Sequence, residues 1–134
     1  MNMFRLHKNF LRNTIPITNW KLCTLRLMNN CYFPWIILIP RQANLRQIHQ
    51  LSESNQIQLT KEVNQASKII TKLFKPDNLN VGKVGNIIPQ LHIHVIARFK
   101  GDVAWPHPVW GKQTKPYSKK AVTALIKKIK QTTV

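Results

Sequence analysis

Residues 34–40 read PWIILIP. Five large apolar residues, Trp35 to Ile39, stand between two prolines, and three of the five are β-branched. Prolines at both ends leave no room for a helix. A strand shows successive side chains to opposite faces, so an unbroken apolar run needs cover on both sides. The segment is therefore a central strand with further structure above and below it. Before it, LCTLRLM at 22–28 alternates loosely, and Asn29-Asn30 is a turn signal. The two segments predict an antiparallel hairpin.

A helix follows. Ser52 or Ser54 can cap it, and Leu59, Val63, Ala66, Ile70 and Leu73 repeat at spacings of 4, 3, 4 and 3, one helical stripe. Pro76 and Asp77-Asn78 stop it. A third strand is predicted through Leu79-Asn80-Val81, a loop around Gly82 and Gly85, and a strand from Gln90 to Phe99. The Pro-, Trp- and Gly-rich stretch 101–118 predicts an irregular but packed segment. A last helix carries Val122, Leu125, Ile126 and Ile129 on one side and Lys119, Lys120, Lys127, Lys128 and Lys130 at its ends and outer face. Strands and helices in this order predict one antiparallel α+β domain over residues 1–134.

The composition fits a globular chain, with 43% hydrophobic residues among 134. Four acids, Glu53, Glu62, Asp77 and Asp102, stand against 21 Lys and Arg, a formal net charge of +17. Such a field attracts polyanions, nucleotides and nucleic acid among them, or else reflects a general preference for lysine. Cys23 and Cys31 form no CxxC and make no disulfide framework, as suits two buried thiols in a reducing compartment. The longest apolar stretch, 31–40, is about half a bilayer span. The first residues hold no apolar run long enough for a signal peptide. The expectation is a soluble, cytoplasmic protein without a membrane partner.

Residues 89–99, PQLHIHVIARF, hold the candidate chemistry. Alternation puts Gln90, His92, His94 and Ile96 on one face and Leu91, Ile93, Val95 and Ala97 on the other. Ile96 implies that the histidine face is at least partly covered. Covered, adjacent imidazoles lose pKa, so at least one is neutral near pH 7 with a free lone pair. Three uses of the pair are open. The rings can be polar neighbours satisfied by hydrogen bonds. They can bind a metal, although three or four ligands are needed and only His107 offers itself as a third, so no metal is expected. Or one imidazole can attack phosphorus while the other contacts the phosphate or the departing oxygen. Gly85-Asn86, just upstream, could let backbone amides approach a phosphate, or could simply serve a turn.

As a set, these segments resemble the histidine triad family of nucleotide hydrolases and transferases. Gln90-Leu91-His92-Ile93-His94-Val95-Ile96 is similar to the family motif His-φ-His-φ-His-φ-φ, where φ is apolar. LRLMNN, YFPWIILIPR, NVGKVGN and GDVAWPHPVWG match in kind and order. The resemblance covers roughly Leu22 through Trp110. It implies a five-stranded antiparallel sheet with a long central helix and a C-terminal helix, paired as a homodimer. It implies that His92 attacks the α-phosphate of a nucleoside phosphate, phosphoramidate or dinucleoside polyphosphate, forming a nucleotidyl-histidine without a cofactor. It implies that His94 contacts the phosphate or leaving group, that Gly85, Asn86, Ile87 and Ile88 surround the phosphate, and that Asn29 or Asn30 lies near the ribose. Trp105 and Trp110 lie in the segment that closes over the site or the dimer interface in relatives, and Trp105 is the candidate for stacking a base.

Three residues depart from the pattern. Gln90 replaces the first triad histidine. Its carbonyl can still orient the nucleophile, but its side chain only partly replaces a titrating member of a polar relay. Trp35 stands where many relatives have a further relay histidine. Ile87 stands where Ser or Thr often contacts the phosphates. These departures keep two alternatives in view: a nucleotide sensor without turnover, and a basic nucleic-acid-binding module.

Overall fold

A computed structural model of the chain describes residues 3–134. The predicted hairpin is present. β2 (Cys23–Met28) and β3 (Trp35–Pro40) pair antiparallel, with Leu25 opposite Leu38 and Arg26 opposite Ile37. On its other side β3 pairs antiparallel with β5 (Ile93–Arg98), with Trp35 opposite Ile96 and Ile37 opposite His94. Two outer strands complete a five-stranded sheet in the order β1-β2-β3-β5-β4. They are β1 (Thr14–Asn19), paired with β2, and β4 (Asn78–Gly82), paired with β5.

β3 is central and every one of its residues is buried. Ile36 and Leu38 enter one core with Leu25, Leu27, Val95 and Ala97. Trp35, Ile37 and Ile39 enter a second core on the opposite face with Phe10, Phe33, Ile96, Ala104 and Val109. Burying an isoleucine of this kind contributes about 1.5–3 kcal/mol, so β3 anchors both sides of the sheet.

The long helix α2 (Glu53–Phe74) covers the first core with Leu59, Ala66, Ile69 and Ile70. The Ser52 hydroxyl accepts the Asn55 backbone N–H at its start, and Lys75 adopts a left-handed conformation at φ 48° to end it. One buried residue on α2 is charged. Glu62 accepts the backbone N–H groups of Leu22 and Cys23, at 2.9 and 2.8 Å. The C-terminal helix α3 (Lys119–Gln131) packs Val122, Leu125, Ile126 and Ile129 on the same core.

Two elements lie ahead of residue 22, where the sequence reading assigned none: β1 and a short helix α1 (Lys8–Asn13). The strand read from Gln90 is shorter than expected. It begins at Ile93, so Gln90 and His92 lie in the segment entering it. No helix among the described residues is long and apolar enough to cross a membrane.

Candidate active site

The second core stops short of filling the sheet face. Between α1, β3, β5 and the 84–88 loop it leaves a cavity of about 410 Å³. His92 and His94 form its floor, their ring centroids 4.8 Å apart. Gly85, Asn86, Ile87 and Ile88 form one wall, and Asn9, Phe10 and Asn13 of α1 another. Trp35, Met28 and Trp110 also line it, with Thr14, Ile37 and Val84.

Each imidazole is held in one tautomer by its neighbour. The Gln90 backbone carbonyl lies 2.7 Å from His92 Nδ1. A carbonyl only accepts, so Nδ1 carries the proton and Nε2 is left with a lone pair. For His94 the logic reverses. Indole Nε1–H only donates, and Trp35 donates it to His94 Nδ1 at 3.0 Å. The His94 proton therefore sits on Nε2. Burial pushes both pKa values below the ordinary histidine range. The Gln90 carbonyl partly offsets this in His92, and Lys83 lowers it a little further. His94, lowered also by His92 beside it, falls to about 3. Both rings are neutral at neutral pH, one with a bare nitrogen and the other with a free N–H.

The rings are nearly covered by protein, at 5% and 4% exposure, yet both border the cavity. Phe10 lies edge-on to His92 at 4.8 Å, and Trp110 edge-on to His94 at 5.1 Å. Gly85 turns the loop with φ at +72°, a conformation that any side chain would strain. Lys83 Nζ lies beside this glycine, 3.5 Å from where a Cβ would stand.

The candidates separate into two groups. His92, His94, Gly85, Asn86, Ile87 and Ile88 come together around the cavity. Asn29, Asn30 and Trp105 are not in its lining. The Asn29 side-chain oxygen accepts the Tyr117 N–H, and that of Asn30 accepts the N–H groups of Tyr32 and Lys115. Both asparagines tie the C-terminal segment to the hairpin turn through their side-chain oxygens. Trp105 packs over the Arg98 guanidinium, which the Asp102 carboxylate holds at 2.8 Å. The tryptophans in the cavity lining are Trp35 and Trp110.

Gln90 also departs from expectation. Its side chain joins no relay. Oε1 accepts the His7 backbone N–H at 3.0 Å, and Nε2 donates to the Arg5 carbonyl at 2.8 Å. The place of a relay partner for His94 is filled by Trp35. His107 is exposed and outside the lining, and no group of three or more His, Cys, Asp or Glu among the described residues could hold a metal.

Sequence reasoning missed the α1 wall and Met28. Asn9, Phe10 and Asn13 fall at helical spacings of 1 and 3, but six residues give too little pattern to show a face.

Comparison with known proteins agrees with this fold. The family model for the HIT domain matches residues 13–101. A histidine triad protein from Marinobacter aquaeolei is 40% identical, with a TM-score of 0.93 over 96% of this chain and 94% of that one. One from Sinorhizobium meliloti is 37% identical, with a TM-score of 0.93 over 96% of each chain. One from Bradyrhizobium japonicum is 34% identical, with a TM-score of 0.94 over 97% of this chain and 98% of that one. No curated protein matches.

Proposed function

The chain belongs to the histidine triad family, the HIT domain, and from that premise we propose that it is a nucleotide hydrolase or transferase acting at an α-phosphate. One observation carries the reading: the hydrogen bond from His92 to the Gln90 carbonyl leaves Nε2 unprotonated beside a cavity large enough for a nucleotide.

In the first step the Nε2 lone pair attacks the α-phosphorus and the bond from phosphorus to the leaving group breaks. Nδ1 keeps its proton throughout, so the phosphorylated ring is cationic and the Gln90 carbonyl faces that charge. His94 donates its Nε2–H to a phosphoryl oxygen, where negative charge develops. The amides of Gly85–Ile88 supply further donors. A polyphosphate leaves as an anion, and an amine leaves with a proton taken from water. In the second step water, or another acceptor, attacks the same phosphorus. The P–N bond breaks, its electron pair returns to Nε2, and the proton passes to solvent.

The test is intact-mass spectrometry after incubation with a pool of nucleoside polyphosphates. A nucleotidyl adduct is expected on the wild-type chain and not on His92→Ala. Wild-type turnover by the alanine variant overturns the mechanism.

A sensor without turnover is the second reading. It is favoured by Ile87, 87% exposed at the cavity rim with no hydroxyl to offer, and by the Gln90 side chain, which faces away from the rings. It predicts mononucleotide binding with no adduct. The charge of +17 supports a nucleic-acid contact as a third reading. It predicts salt-sensitive affinity that survives loss of both histidines. A homodimer belongs to the main proposal. β4 is a sheet edge whose outer backbone groups a second copy could pair, and light scattering checks the mass.

A further inference from the structure

The α1 wall cannot hold its own position. It is six residues long with a single buried side chain, Phe10, and a helix this short is marginal in water. Its C-terminal end runs into β1 and is tied to the hairpin by the Asn29 N–H, which donates to the Asn13 carbonyl at 3.0 Å; what fixes its N-terminal end lies just ahead. His7 is its N-cap, the ring Nδ1 accepting the Asn9 N–H at 3.1 Å. The residues before the cap are gripped by Gln90. The carboxamide accepts from the His7 N–H and donates to the Arg5 carbonyl, answering an N–H and a C=O of the arm as a neighbouring strand would. An imidazole has one donor and one acceptor too, but they point apart from opposite sides of a ring. The same residue's carbonyl sets the tautomer of His92.

We propose that Gln90 is a positioning residue: it clamps the 5–7 arm and so fixes Asn9, Phe10 and Asn13 as the wall against which the substrate's nucleoside part rests. The assignment to a nucleoside rests on the function proposed above. In this chain the position occupied by a histidine in the family motif sets substrate affinity and takes no part in moving protons. Its backbone work on His92 survives substitution, because any residue keeps the carbonyl, whereas its side-chain work does not.

The experiment joins amide hydrogen exchange by NMR to titration with adenosine and guanosine monophosphate, on the full chain and its Gln90→Ala, Gln90→Glu and Gln90→His variants. In Gln90→Ala the His7 amide is expected to exchange about tenfold faster, the loss of one hydrogen bond, while β3 amides are unaffected and show that the sheet is intact. Mononucleotide affinity falls by about tenfold, and in a turnover assay the loss falls on KM rather than kcat. Gln90→Glu keeps an acceptor for His7 and loses the donor to Arg5, so it falls between. Gln90→His does not restore affinity. Unchanged His7 exchange in Gln90→Ala overturns the clamp. Faster exchange with unchanged nucleotide affinity overturns its role in the site. A higher kcat in Gln90→His, with a new limb near neutral pH, assigns the position to proton transfer instead. Should the wild-type chain bind neither nucleotide, the nucleotide reading falls, and the exchange result still decides whether the clamp exists.

Discussion

Trp35 decides what His94 can do. A donor fixed on Nδ1 makes the opposite nitrogen the only place for the proton, and it stabilises the neutral ring, since a doubly protonated imidazole could not accept the bond. Trp35→Phe keeps the aromatic bulk and removes the donor. The expected result is a His94 pKa that rises from about 3, followed by NMR titration, and, on the mechanism proposed above, a kcat about tenfold lower because the N–H that would donate to the phosphoryl oxygen is no longer fixed. A kcat equal to wild type would mean that His94 does not act through that proton. The sharing of one face by His92 and His94 was legible from strand parity alone, although His92 precedes the strand. The choice between Trp105 and Trp110 was not. Both lie in an irregular segment, where no period ties a position to a direction. Only the buried ion pair of Arg98 with Asp102 accounts for Trp105 turning inward to pack on a guanidinium.

At the scale of elements, the segments with two-sided or striped apolar patterns were legible and those with one apolar anchor were not. β3 and α2 fill their faces, and their sequences show it. β1 holds a proline and reads as a poor strand, but it lies at the sheet edge, where a missing N–H leaves no gap in the ladder. The helical stripe placed α2 correctly and yet gave no sign of Glu62, a carboxylate buried at 2% exposure. It is there because the turn ahead of β2 points two backbone amides into the core, and an acceptor on the covering helix answers both, with Gln58 donating a third bond at 2.7 Å. Glu62→Ala leaves those two amides unsatisfied and is expected to cost about 2–4 kcal/mol in urea unfolding. Glu62→Gln keeps one acceptor and is expected to cost less. Equal stability of Glu62→Ala and the wild type would show that water reaches the amides.

At the scale of the whole molecule, the buried rings make folding sensitive to acid. The unfolded chain takes up protons on His92 and His94 in the ordinary histidine range, and the folded chain resists until a lower pH. The folded state therefore binds fewer protons, and stability falls as pH drops below about 6.5, continuing for His94 to about 3. Asp102 acts in the same direction lower down. Burial alone would raise its pKa, but the hydrogen bonds from Arg98, Phe99, Ala104 and Trp105 outweigh it and hold the carboxyl at about 2, so its contribution is lost as pH falls from the ordinary aspartate range towards that value. Urea midpoints measured from pH 7 to 4 are expected to decline steadily. His94→Asn keeps an acceptor for Trp35 without titrating, and is expected to flatten the slope. The bonds that close the site span the chain: Gln90 reaches back to Arg5 and His7, and Asn30 and Cys31 hold Lys115. During synthesis the first wall of the cavity leaves the ribosome about a hundred residues ahead of the tryptophan that faces it. A nascent chain halted short of Trp110 has the histidine pair but lacks the ring that lies edge-on to His94, so its cavity is still open on that side.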